Sequence, residues 1–425
     1  MTTLIELFDR APVENLLATL ALRPDRTVYL GTDMRRITRQ LPMYEEILRG
    51  RGISTELTCR SAAKNDLDST LSAIDGILDE CSDEAGEICI VDISGGDETL
   101  LLSVGIILGA RAGQGRRLLA FRCSPLTRMA SFFLVRRGKN GKLVVAREQM
   151  DFSSSGDNPL SLSVDEIVTL HGGKITARNE RVLPGSAEAA DIDALWELCT
   201  ADCAAWNATV NRFSTEVSKY AAGDGLFSIP ESAFGKGKNK LDQTFFKNLC
   251  RKGLIHLDPF GDSGVFLFRY KNKIVRECLT KSGSVLEYMT LKTAMSVTEN
   301  GRPLFDSAET GVVLDWDGQS NGTRNEIDVI LTRGVTPVFI SCKNGDIGVD
   351  ELYKVAAVAD RFGGGFSRRA IIATSYFDPK SKAYPGPSAV NNIEDRARDM
   401  GIRTVEQPHK MTDEEFAVAL AKLVK

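Results

Sequence analysis

Residues 323–345 read TRNEIDVILTRGVTPVFISCKNG. Two apolar runs, NEIDVILT and TPVFISCK, flank a short turn at Gly334-Val335, the pattern of a β-hairpin. Charged groups interrupt it: Glu326 and Asp328 in the first run, and Lys343 closing the second. Side chains alternate faces along a strand, so Glu326 and Asp328 share one face, as do Ser341 and Lys343. With the turn centred on Gly334-Val335, Asp328 falls opposite Ser341 and Glu326 opposite Lys343. The sequence thus predicts a carboxylate pair beside an ammonium at the open end of the hairpin. Carboxylates hold a hard divalent cation such as Mg2+ or Mn2+ through oxygen. Such a cation polarises a phosphodiester and lowers the pKa of a bound water, and a nearby lysine orients that water or neutralises developing charge. Glu287, on the preceding helix, is an extra acid for the same site. The same residues also read as a structural Glu–Lys pair on a half-exposed hairpin.

Around the hairpin the elements alternate in type. GSVLEYMTLKTAM (283–295) reads as a helix, GVVLDWDG (311–318) as a strand, and VDELYKVAAVADRFGG (349–364) as a helix stopped by glycines. RRAIIAT (368–374) is a buried strand, NNIEDRARDMG (391–401) a helix and IRTVE (402–406) a final strand. A second α/β pattern occupies the first third of the chain. TVYLGTD (27–33), STELTCR (54–60), EICIVDIS (87–94) and RRLLAF (116–121) are strands. Between them, PMYEEILRG (42–50), LDSTLSAIDGILDEC (67–81) and TLLLSVGIILGAR (99–111) are helices. Strand–helix alternation predicts a doubly wound, mostly parallel sheet, whose ligands sit beyond the carboxyl ends of the strands. Two polar turns lie at such ends: Gly31-Thr32-Asp33-Met34 and Ser94-Gly95-Gly96-Asp97-Glu98.

Between the two α/β regions the texture changes. DFSSSGDNPLSLS (151–163) is a polar stretch suited to a linker. The helical segment 191–213 follows, then a Gly/Lys-rich loop (235–240) and a helix with a hairpin turning at Gly261-Asp262-Ser263-Gly264. A helix-plus-wing module suits nucleic-acid contact through Lys247, Arg251 and Lys252, or serves as a solvated spacer. The expected domains are therefore 1–155, 156–280 and 281–425.

Composition bounds the rest. The 425 residues are 43% hydrophobic and 26% charged, as in a globular protein of two or three domains. A net charge of −4 requires any nucleic-acid partner to be held by local basic patches. No apolar stretch approaches the ~18–20 residues that cross a bilayer, and the start MTTLIELFDRAP is unlike a secretory signal. The nine scattered cysteines read as reduced thiols of a cytoplasmic protein. Three histidines far apart in sequence argue against histidine-based catalysis.

The order helix with Glu287, strand, strand with Asp328, strand with Lys343, helix, strand resembles the PD-(D/E)xK nuclease core. That resemblance implies metal binding and hydrolysis by Glu287, Asp328 and Lys343. The family's glutamate two before the lysine is Ser341 here, and Glu326 on the adjacent strand is expected to supply the missing carboxylate. The stretch IVDISGGDETLLLSVG (90–105) resembles the ligand loop of CARF domains, with Asp97 and Glu98 where threonine and lysine are common. A CARF-like half, a linking module and a PD-(D/E)xK half in this order resemble the CARF nucleases of type III CRISPR systems across essentially the whole chain. The resemblance implies a homodimer that binds a cyclic oligoadenylate, foremost cyclic tetra-adenylate, and then hydrolyses DNA or RNA with Mg2+ or Mn2+. Gly31, Thr32, Asp33, Met34, Ser94, Gly95, Gly96, Asp97 and Glu98 are the expected ligand contacts, by loop position. The alternative is a ligand-responsive DNA-binding regulator with an inactive nuclease fold. A nuclease that needs no activator is a third reading.

Overall fold

The first strand of the chain is one that its own sequence hides. In the computed structural model, which describes residues 1–81, 87–112, 117–124, 126–152, 160–237, 239–258, 264–316, 324–345, 347–374 and 387–424, Thr2–Leu7 is an interior strand of a seven-stranded sheet, third in its order. Buried parallel strands read as unbroken apolar runs, and here Glu6 interrupts the run while itself being buried. Strand order across the sheet is Glu56–Ser61, Arg26–Gly31, Thr2–Leu7, Ile88–Asp92, Arg117–Ser124, Met129–Arg137, Leu143–Asp151. The first five are parallel, as expected, and the last two add an antiparallel hairpin that the alternation did not signal. Helices Glu14–Leu22 and Met34–Gly50 cover one face, where Leu16, Ile37 and Tyr44 meet Leu4, Tyr29 and Phe121. Helices Leu67–Glu80 and Glu98–Ala110 cover the other, where Ile74, Ile77 and Val104 meet Ile5, Val28 and Val91.

The C-terminal sheet has six strands, in the order Ile402–Glu406, Arg368–Ala373, Thr336–Lys343, Arg324–Arg333, Ser307–Asp315, Lys174–Ala177. The expected hairpin is present, with Val329 opposite Ile340 and Arg333 opposite Thr336, and the next two strands pair in parallel. Alternate residues of its strands serve two cores. Val329, Val338 and Ile340 pack on helix Ser284–Ser296 through Val285, Leu286 and Met289. Ile330, Phe339 and Ile371 pack on helix Val349–Gly363 through Leu352, Val355 and Phe362. One edge strand, Lys174–Ala177, comes from the stretch read as linking module, so part of that stretch belongs structurally to the C-terminal sheet.

The stretch between 187 and 280 builds a small helix-and-sheet unit whose core is continuous with that of the C-terminal sheet. Helices Ala187–Ala201 and Cys203–Ser218 precede helix Gln243–Arg251, and a four-stranded sheet is built from Ile255–Leu257, Val265–Tyr270, Leu226–Pro230 and Ala221–Gly223. Helix and wing strands stand as expected; the wing turn at 261–263 and the linker residues 153–159 lie outside the described residues. Among the described residues, no helix is long and apolar enough to cross a membrane.

The two α/β domains meet at the turn of the hairpin. Val335 lies in the core of the N-terminal domain, and the Leu162 amide donates to the Gly334 carbonyl at 2.9 Å. Asp306 accepts from the Gly334 amide at 2.5 Å. Nearby, Arg51 at the end of helix Met34–Gly50 grips Glu166 of helix Val164–Leu170 with two bonds of 2.6 and 2.7 Å, and donates to the Ser161 carbonyl. Both side chains are only about a fifth exposed, at 23% and 18%, so removing Arg51 leaves a largely buried carboxylate without its cation, held by the Ser163 amide and hydroxyl. Arg51→Ala is expected to cost about 1–3 kcal/mol, seen as a drop of several degrees in the melting temperature. An unchanged melt would show that the domain contact does not depend on this pair.

Candidate functional site

At the open end of the hairpin the chain forms a small cleft of about 60 Å3, lined by Glu326, Asp328, Ser341, Lys343, Glu351 and Lys354. Asp328 is the fixed point. Its Oδ2 accepts the Cys342 amide at 2.6 Å and the Ser341 hydroxyl at 3.1 Å, so the second strand holds the carboxylate in place. Burial raises its pKa, opposed by Lys343 and these two donors. The Lys343 ammonium lies 3.8 Å from Asp328 and 3.2 Å from Glu351. Burial works against the charged lysine, yet Asp328 and Glu351 outweigh it and leave its pKa above the ordinary value. Lys343 therefore stays protonated. Glu351, in the first turn of helix Val349–Gly363, also meets Lys354 at 2.9 Å. Its pKa is lowered: its bonds to Lys354 and Lys343 overcome the opposing effect of burial.

The expected pairing of Glu326 with Lys343 does not form. Ladder pairing of the two strands ends at Val329 and Ile340, and Glu326 instead sits across from Val313 on the other neighbouring strand. Its side chain is 53% exposed and 3.9 Å from Lys281. Beyond the last ladder pair the strands follow different partners, so counting from the turn overextends the register. The partner that sequence missed is Glu351, whose acidic place in a helix N-terminal turn looks like ordinary capping.

Glu287 approaches from the opposite side of the sheet, on the first turn of helix Ser284–Ser296. Burial, then the charges of Asp328 and Glu326, push its pKa up to about 8. Mutually repelling hard oxygen donors of this kind fit a divalent cation, and Mg2+ needs only one or two carboxylates beside water and substrate phosphate. Among the described residues, no cluster of three or more His, Cys, Asp or Glu forms a ready-made cage.

At the N-terminal sheet, the strand order reverses between Thr2–Leu7 and Ile88–Asp92, which places the ligand crevice at the loops after these two strands. The Ser94–Glu98 turn is therefore central, and Gly31–Met34 lies one strand away. Gly96 has φ +90°, and a Cβ there would stand 2.8 Å from Leu7 Cβ, so the turn admits only glycine. Gly95 is buried, where a Cβ would meet Asp9. Asp33 and Asp97 cap their helices, accepting the Arg36 and Leu100 amides at 3.1 and 2.9 Å. Met34 and Glu98 open those helices, and Thr32 is exposed beside the Asp33 cap. The Ser94 hydroxyl is already engaged, donating to Asp92 at 2.6 Å and accepting the Cys123 amide at 2.8 Å. Sequence missed the loop after the first strand, where Asp9 lies against Gly95 and the Arg10 carbonyl accepts from Arg36 at 2.9 Å. Beneath it, Glu6 and Asp92 are buried cross-strand neighbours. Burial lifts both: Asp92 to about 6, and Glu6, with Asp92 beside it, well above the ordinary carboxylate range.

No protein-family model matches the sequence, and no curated protein matches it. Two solved structures share its fold over nearly the full length. A protein from Vibrio cholerae, VC1899, matches over 99% of this chain and 97% of its own, with a TM-score of 0.69 at 17% identity. Can2 from Sulfobacillus thermosulfidooxidans, solved in complex with cyclic tetra-adenylate, matches over 100% of both chains, with a TM-score of 0.63 at 14% identity. The chain thus has the expected two-part α/β architecture: an N-terminal α/β domain followed by a second α/β domain, in the fold it shares with these structures.

The raised pKa of Glu287 gives the site a pH signature. A carboxyl that titrates near 4.5 unfolded and near 8 folded contributes stability below pH 4.5 that is lost as pH rises towards 8. In metal-free buffer, Glu287→Gln is expected to melt at a higher temperature than the parent at pH 8.5 and similarly at acidic pH. Mg2+ or Mn2+ should raise the melting temperature of the parent at high pH and leave Glu287→Gln unmoved. Equal cation responses would remove Glu287 from the metal site.

Proposed function

We propose, from its CARF-type CRISPR ancillary fold and the charge arrangement at the open end of its hairpin, that this chain is a nuclease switched on by a cyclic oligoadenylate. The observation that carries the reading is Lys343 held between Asp328 and Glu351 in an accessible cleft. Asp328 and Glu287 would hold Mg2+ or Mn2+. When bound, such a cation polarises the scissile phosphodiester and activates water. Because its two carboxylate neighbours keep Lys343 charged, it acts as a cation that neutralises charge building on the phosphate, and not as a base. Ser341, where the nuclease family carries a glutamate, orients the Asp328 carboxylate instead of adding a ligand. Glu351 positions the lysine.

Cyclic tetra-adenylate suits the N-terminal crevice, with phosphates near the start of helix Glu98–Ala110. A twofold ligand asks for a twofold dimer. Support comes from that same helix, where Leu101, Leu102 and Ile106 are 39%, 57% and 42% exposed. Ligand-driven motion of the N-terminal domain reaches the cleft through the hairpin, whose turn is fixed in that domain's core while its other end carries Asp328 and Lys343.

Purified protein with Mn2+ or Mg2+ should cleave labelled single-stranded DNA, RNA or plasmid only when cyclic tetra-adenylate is present. Lys343→Ala should lower turnover by at least about a hundredfold, roughly the contribution of one electrostatic stabiliser, with the melt unchanged. Cleavage without activator would favour a constitutive nuclease. Activator binding with no cleavage, and duplex binding that survives Lys343→Ala, would favour the regulator reading.

A further inference from the structure

The middle module carries a second cavity that the catalytic reading does not use. It measures about 230 Å3 and lies between helix Gln243–Arg251 and the wing strands Ile255–Leu257 and Val265–Tyr270. Three rings build its wall: Phe234, Phe246 and Phe266, with centroids 5.0, 5.3 and 5.9 Å apart in mutual edge-to-face contact. Leu257 stands at its mouth, 48% exposed. Gln243 and Lys247, both exposed, form the rim on the helix side. Lys247 and Arg251, one helical turn apart, have no carboxylate partner among the described residues, whereas Lys252 is tied to Glu197 at 2.6 Å.

An aromatic-walled hollow with an amide and an unpaired cation at its rim, and a second cation one turn further along the helix, matches one chemistry. A nucleobase presents a π face to the rings and hydrogen-bonding edges to the amide, and brings a phosphate within reach of the cations. The volume is below the ~300–1,000 Å3 of sites that take whole drug-sized ligands, so one ring system fits. An apolar peptide would ask for a longer groove and no cations. We propose that this cleft binds one unpaired base of a nucleic-acid strand, with Lys247 and Arg251 on the adjoining phosphates. The inference rests on the reading of the chain as a protein that acts on nucleic acid, and it gives the middle module a substrate-holding role.

The test is binding in EDTA, where cleavage is silent. Full-length protein is titrated, with and without cyclic tetra-adenylate, into fluorescein-labelled oligothymidine, oligouridine and an abasic strand of the same length, read by anisotropy. At least one base-bearing strand should bind about fivefold or more tighter than the abasic strand, the lower end of base-stacking contributions. Leu257→Asp or Leu257→Ser, at an exposed position, should erase that preference. Lys247→Ala should weaken all strands alike and lower the salt dependence by about one phosphate contact. Lys343→Ala should keep the preference, which separates failure of this cleft from failure of the nuclease site. Equal affinity for base-bearing and abasic strands, no binding to any strand, or a preference that survives both Leu257 variants would overturn the proposal.

Discussion

The hairpin Arg324–Lys343 is the constraint on which the rest of the molecule depends. Its middle is a buried ladder serving two cores at once, with Val329 and Ile340 on one face and Ile330 and Phe339 on the other. A strand buried on both faces cannot slip by one residue without swapping its two sets of side chains between two cores packed for the other register. The two ends are thereby fixed relative to each other. One end enters the N-terminal domain through Val335 and Gly334; the other opens into the acidic cleft. A rigid element anchored at both ends is a physical connection between domains, and it needs no relay of loose contacts.

The electrostatics of the cleft follow from this placement. Asp328 leaves the ladder where pairing stops, and its carboxylate takes up the amide that a continued ladder would have used. Lys343, ending the adjacent strand, is caught between that carboxylate and Glu351. On the far side of the sheet, burial and like charge leave Glu287 protonated near neutral pH. The site is thus balanced without a cation and gains from one, since a divalent ion would stabilise carboxylates that now oppose each other. The N-terminal crevice follows a similar logic: burial raises the pKa of both carboxyls at its floor, beneath a glycine turn shaped by contact with Leu7.

Much of this was legible in the chain itself. Unbroken apolar runs mark the parallel strands, glycines stop helix Val349–Gly363, and the charged residues Glu326, Asp328 and Lys343 in a hairpin mark the site. The exceptions share a cause. Thr2–Leu7 was hidden because a glutamate, buried beside Asp92 on the next strand, broke its apolar run. Lys174–Ala177 was hidden because a short edge strand exposes most of its residues and carries no alternation. Glu351 was hidden because an acid in the first turn of a helix needs no further explanation.

The sequence by itself determined the types of the helices and strands whose periodicity it displays, the two α/β halves, and the residues able to carry charge at the hairpin. Those are local matters, set by periodicity, turn chemistry and side-chain type. Tertiary structure decided which carboxylate meets Lys343, where the sheet reverses its order, and that the hairpin's turn belongs to the other domain's core. Each depends on which strand lies beside which, and neighbours far apart in the chain are chosen by the packing of whole faces, not by any one stretch.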